Sequence, residues 1–154
     1  MSEDVIIRAG RQTDISAALG LVKELALFER APDAVVVSEQ EMLKAGFGQD
    51  KIFEFFVAES NAEVIGIAIY YYKYSTWKGR CLYLDDLIVT ESRRGKGTGK
   101  RLLEAVLEKG RETGVRRVEW QVLDWNTSAI DFYKSFGAKL DGEWINCHFY
   151  FDRV

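Results

Sequence analysis

The short apolar, β-branched run Val5–Ala9 (Val-Ile-Ile-Arg-Ala) predicts a first strand. Thr13 and Asp14 are natural N-caps for a helix carrying Leu19, Val22, Leu25, Ala26 and Phe28 at near-helical spacing and ending between Glu29 and Pro32. Ser38 and Glu41 form an S-x-x-E capping pattern that opens a shorter helix, which the Gly46 and Gly48 neighbourhood ends. The β-rich runs Phe53–Glu59 and Val64–Tyr74 flank Ser60-Asn61-Ala62-Glu63, a hairpin signal, and Cys81–Thr90 adds a third successive strand. A glycine-rich turn then leads into an amphipathic helix through Leu102, Leu103, Val106 and Leu107 that stops at Gly114, followed by a strand over Arg117–Leu123. Asn126 caps one more helix, with Ile130, Tyr133 and Phe136 on a face, ended by Gly137; strands at Lys139–Leu140 and Ile145–Phe151 complete the expectation. The order β-α-α-β-β-β-α-β-α-β-β is that of an α/β (α+β) fold with a mixed, mostly antiparallel sheet flanked by helices.

A length of 154 residues fits one domain, 1–154, and a single proline (Pro32) with 47% hydrophobic and 29% charged residues marks a folded chain. The apolar runs are shorter than the ~20 residues of a membrane-spanning helix, and the opening MSEDVIIRAGRQTD lacks an apolar signal core, so we expect a cytoplasmic protein with no membrane association. Cys81 and Cys147 are far apart and His148 is the one histidine, which argues against a metal site or a disulfide framework. The net charge of -3 opposes general nucleic-acid binding, yet Arg93, Arg94, Lys96, Lys100 and Arg101 crowd one short segment.

That segment, Arg94-Gly95-Lys96-Gly97-Thr98-Gly99-Lys100, lies between a predicted strand and a helix start. Helix-start N–H groups lack intrahelical partners, the helix dipole is positive there, and glycines admit close approach of an anion. A phosphate is the implied ligand, with a solvated basic turn as the alternative. The P-loop pattern fails, because Arg94 stands where glycine is needed and Arg101 where Ser or Thr is needed. The dinucleotide pattern GxGxxG fails on glycine spacing.

Arg94-x-x-Gly97-x-Gly99 resembles the [QR]-x-x-G-x-[GA] pyrophosphate loop of the GNAT superfamily of N-acetyltransferases, and Asn126…Tyr133 stands one strand later in the family's order. KEL (Lys23–Leu25), GFG (Gly46–Gly48), LYLDD (Leu82–Asp86), RGKGTG (Arg94–Gly99), WN (Trp125-Asn126) and FYKSFGA (Phe132–Ala138) bring the chain near the spermidine/spermine acetyltransferase branch. Tyr74–Arg80 and Leu123–Asn126 look more like its thialysine epsilon-acetyltransferase members.

The resemblance implies an enzyme that passes the acetyl group of acetyl-CoA directly to a primary amine of a small molecule: thialysine, a lysine-like amino acid, a diamine or a polyamine. It also implies a homodimer. Such chemistry must deprotonate an ammonium of pKa about 10 and protonate a departing thiolate. The family's pattern gives the second task to Tyr133, a phenol still protonated at neutral pH. Asp85 takes the place of the acidic residue, usually glutamate, that contacts the amine and draws its proton off through water. Asp85 and Asp86 are neighbours in a strand, so alternation puts them on opposite faces and forbids a close carboxylate pair. The backbone of Leu87, Ile88 and Val89 is placed beside the pantetheine arm, as an added strand would be. Gly95, Lys96, Gly97, Thr98, Gly99 and Lys100 are assigned to the pyrophosphate with Arg94, and Asn126 and Ser128 to other donor groups, helix capping explaining Asn126 nearly as well. Glu29 and Asp85 supply acceptor charge, Phe28 and Trp120 aromatic walls, and Glu119 and Gln121 share a strand face. A noncatalytic acyl-CoA-binding module and a protein lysine acetyltransferase are the competing readings.

Overall fold

The computed structural model describes residues 4–151. A five-stranded sheet is formed by β1 (Val5–Ala9), β2 (Glu54–Ser60), β3 (Glu63–Ser75), β4 (Gly79–Val89) and β5 (Arg117–Glu119), in that spatial order. The first four strands are antiparallel neighbours, and β5 joins β4 in parallel. Helices α1 (Ile15–Phe28), α2 (Glu39–Phe47) and α3 (Thr98–Glu112) accompany this sheet; α4 (Thr127–Ser135) follows it in sequence. The chain forms two compact units, one ending at Trp120 and one starting at Gln121.

In the first unit the central strand β3 is buried from Ile65 to Tyr70, both faces being covered. On one face Ile15, Ala18, Leu19 and Leu21 of α1 and Met42 of α2 meet Phe55, Val57, Ile67, Ile69 and Ile88. On the other, Leu102, Leu103 and Val106 of α3 are fully buried, and Leu102 reaches Gly66, where an added Cβ would crowd its Cδ1 at 3.1 Å. The β2–β3 hairpin turns on Asn61 (φ 51°) and Ala62 (φ 62°), two left-handed residues as a tight twisted turn requires. Ser38 caps α2 as expected, its hydroxyl accepting the Glu41 N–H at 3.1 Å. Asp14 departs from expectation. Gln12–Asp14 form a short 3-10 turn before α1, and the Asp14 carboxylate, instead of capping α1, takes a two-pronged bond from Arg8 (2.7 and 3.0 Å) and the Arg11 N–H (2.7 Å).

In the second unit α4 begins after Asn126 and is followed by Gly137 at φ 83°. Two corrections fall here. The strand expected over Arg117–Leu123 stops at Glu119, and 139–151 contains no strand. Alternation shows that Ile145–Phe151 suits a strand, but a strand exists only where a neighbour's backbone exchanges hydrogen bonds with it. Without that ladder Ile145, Phe149 and Phe151 are 87%, 84% and 78% exposed, and local bonds such as Trp144 Nε1 to Asp141 Oδ2 (2.9 Å) shape the segment.

Candidate active site

The glycine-rich turn is built by β4, a 3-10 turn at Glu91–Arg93, and the start of α3. Gly95 and Gly97 both have φ 82°, and a Cβ on either would meet no atom within 4 Å, so glycine serves the backbone angle here and not the space. Arg101 N–H returns to the Gly97 carbonyl at 3.1 Å, which leaves the N–H groups of Thr98, Gly99 and Lys100 ahead of the intrahelical ladder. Lys96 and Lys100 are exposed beside them and Thr98 is buried. Arg94 turns back: its Nε donates to the Val89 carbonyl at 2.7 Å, and its guanidinium lies 5.4 Å over the Phe28 ring.

The edge of β4 changes character along its length. Cys81, Leu82 and Tyr83 pair with Arg117, Val118 and Glu119 of β5, and among the described residues no strand pairs on that side with Leu84–Val89. Thr90 N–H bonds to the Ile65 carbonyl, so antiparallel alternation turns the Ile88 backbone toward β3 and leaves the N–H groups of Leu87 and Val89 on the open edge; the Val89 carbonyl is taken by Arg94, and the Ile88 and Val89 side chains are buried.

The two aspartates overturn the opposite-face expectation. Tyr70 pairs with Leu84 and Ile69 with Asp86, so Asp85 is an extra residue, a β-bulge that suspends alternation. The bulge leaves the two carboxyl groups close enough that each perturbs the other's titration. Burial pushes Asp86 up to about 7, with the charges of Asp85 and Glu29 adding to it. Asp85 retains exposed surface, but the protein packed around it also raises its pKa, a rise its interaction with Asp86 opposes. Glu29, directly after α1, is raised by burial. The Tyr71 and Tyr83 rings lie 5.3 Å apart, and both hydroxyls are raised, by burial first and then by Asp85 and Glu119 among their neighbours; Tyr83 reaches about 12. The first unit thus joins Glu29, Asp85 and Asp86 beside two tyrosines, a setting that stabilises a cation and takes up its proton.

The remaining sites differ. Glu119 accepts Lys73 Nζ at 3.1 Å and Arg117 Nε at 2.8 Å, so two cations of the protein already balance it. Phe28 is 45% exposed and Trp120 half-buried. Gln121 is not on a strand with Glu119; it belongs to the second unit, where its amide donates to Asn146 Oδ1 at 2.9 Å. In that unit Asn126 Oδ1 accepts the Ala129 N–H at 3.2 Å, the capping alternative, and Ser128 is exposed in the first turn. Tyr133 is half-buried, its ring 5.4 Å from that of Phe132. Sequence reasoning missed Tyr71, Tyr83 and the partnership of Asp86 with Asp85; the LYLDD run held the signal, but a bulge leaves no mark in composition. Among the described residues no group of three or more His, Cys, Asp or Glu is arranged to hold a metal ion, and no helix is long and apolar enough to cross a membrane.

Residues 23–138 match the model of the acetyltransferase (GNAT) family. The thialysine N-epsilon-acetyltransferase of Bos taurus is 37% identical over 143 residues, 88% of this chain and 84% of the relative. That of Caenorhabditis elegans is 32% identical, covering 83% and 86%. Among solved structures, an integron cassette protein from the mobile metagenome of V. cholerae superposes with a TM-score of 0.79 at 26% identity, over 98% of this chain and 95% of its own. An aminoglycoside N-acetyltransferase in complex with CoA shares the fold at a TM-score of 0.73 and 21% identity, over 100% and 98%.

Proposed function

This chain belongs to the acetyltransferase (GNAT) family, in its diamine and thialysine branch, and is an N-acetyltransferase; we propose that it moves the acetyl group of acetyl-CoA to the primary amine of a small, cationic molecule. The observation that carries the acceptor side is the Asp85–Asp86 carboxyl pair with Glu29 beside it, a site suited to an ammonium and able to take its proton. The names of the relatives favour thialysine or a lysine-like amino acid, or a polyamine, as that molecule.

On the donor side, the left-handed glycines and the α3 start fit a pyrophosphate, and the β4 edge at Leu87–Val89 fits an extended amide arm. The donor supplies a thioester. Lys96 and Lys100 add charge for its phosphates, and Asn126 and Ser128 are further candidate contacts. Asp85, with Asp86, receives the amine's proton through water, and the neutral amine attacks the thioester carbonyl. A backbone N–H of the Leu87–Val89 edge polarises that carbonyl. The C–S bond then breaks as Tyr133 gives its phenolic proton to the departing thiolate, and the second proton lost by the amide nitrogen passes to solvent, from which the phenolate is reprotonated; the tyrosine's role is supported by its place in the FYKSFGA motif and by its chemistry. The family match spans both units, which supports one working domain, and kinship supports a cytoplasmic homodimer that light scattering would distinguish from a monomer.

The test is CoA release from acetyl-CoA with spermidine, putrescine, thialysine, lysine and a histone-tail peptide in turn, using wild type and Tyr133→Phe. Turnover of a small amine that collapses in the variant supports the reading. Binding of acetyl-CoA with no acceptor consumed refutes it.

A further inference from the structure

The KEL segment of α1 has no part in the chemistry above, yet its Glu24 bonds to several residues that lead into the glycine-rich turn. The carboxylate accepts the Thr90 hydroxyl at 3.0 and 3.2 Å and the Glu91 N–H at 2.9 Å, and lies 3.8 Å from the Arg94 guanidinium. Thr90 directly follows β4, Glu91 opens the 3-10 turn, and Arg94 is the first residue of the glycine-rich segment. Phe28, one helical turn after Glu24, packs under the same guanidinium. One side chain on α1 thus ties together the end of a strand, a turn and the start of a loop.

A carboxylate near a phosphate site is electrostatically unfavourable by itself, so its usefulness there has to be geometric. A loop with two left-handed glycines has much freedom to lose when it closes on an anion, and anchoring it beforehand lowers that cost. Arg93 pairs with Glu63 at 3.7 Å.

We propose that Glu24 is a positioning residue for the donor site, acting through Thr90, Glu91 and Arg94 to hold the segment Arg94–Lys100 in its anion-binding shape. The inference rests on the reading of that segment as the pyrophosphate site. Calorimetric titration with CoA, together with steady-state kinetics, tests it in wild type, Glu24→Ala, Glu24→Gln and Thr90→Val. Loss of bonds to a charged acceptor predicts that Glu24→Ala weakens CoA binding and raises the KM for acetyl-CoA about tenfold, with kcat at saturation changed less than about threefold. Glu24→Gln keeps an accepting oxygen and returns both to within about threefold of wild type, which a purely electrostatic role would not produce. Thr90→Val, which leaves α1 intact, weakens CoA about threefold and decides the matter if Glu24→Ala does not fold. Unchanged CoA affinity in Glu24→Ala or in Thr90→Val overturns the proposal, as does a Gln variant no better than Ala. Failure of wild type to bind CoA instead overturns the donor-site reading beneath it.

Discussion

Replacing Asp86 by asparagine should raise stability in alkaline solution and leave it unchanged in acid. Asp86 is held up at about 7 from an ordinary 3.8, chiefly by burial and then by the charges of Asp85 and Glu29. The folded protein therefore binds this proton more tightly than the unfolded chain, and the associated stabilisation is present below about 4 and lost as pH rises through about 7. A difference of some three units corresponds to about 4 kcal/mol at most, and to roughly half that if Asp85 shares the relief of charge. Asparagine has nearly the same shape and no charge to bury. The variant's advantage over wild type should open between about pH 4 and 7 and level off above that at about 2–4 kcal/mol, which for a chain of this size is roughly 4–16 °C in Tm. Melting curves by circular dichroism at pH 4, 6, 7 and 8.5 read this directly. Parallel Tm profiles for the two proteins would refute the argument. Acetyl transfer in the same variant should fall at every pH, because half of the pair that receives the proton is gone.

Three further outcomes follow from the geometry. Tyr133→Phe should lower kcat by about 100-fold or more with little change in the KM for acetyl-CoA, measured as CoA release, since it removes a proton donor and leaves the ring. Gly97→Ala forces a side chain into φ 82° without any clash, so it should cost about 1–2 kcal/mol in thermal unfolding and weaken CoA binding, as measured by titration. Arg8→Ala strips the buried Asp14 carboxylate of its two-pronged partner and should cost about 3–5 kcal/mol in denaturant unfolding at pH 7. Because Arg8 holds Asp14 below its ordinary range, that cost should shrink as acid protonates Asp14, so a penalty independent of pH would count against the ion pair.

Local sequence determined a large part of this protein. The β-rich runs of β1 to β4, the Ser38 cap and the glycines at 95, 97 and 137 act within a few residues, so they fix strands, helix ends and the loop's backbone angles wherever the chain is folded. The Arg94–Gly99 and Phe132–Ala138 motifs likewise carry the family in plain residue order. What needed the tertiary structure depends on partners distant in sequence. The bulge at Asp85 arises from register against β3, and it reverses the opposite-face rule that alternation imposes on Asp85 and Asp86. The raised pKa of Asp86 follows from burial, and from Asp85 and the Glu29 that α1 brings near. The pairing of Glu119 with Lys73 needs β3, β4 and β5 to be assembled side by side. Glu24 looks like any polar helix residue until Thr90 and Glu91 reach it. Ile145–Phe151 shows the converse, a strand-like pattern that finds no ladder, because propensity belongs to the segment and hydrogen-bond partners belong to the fold.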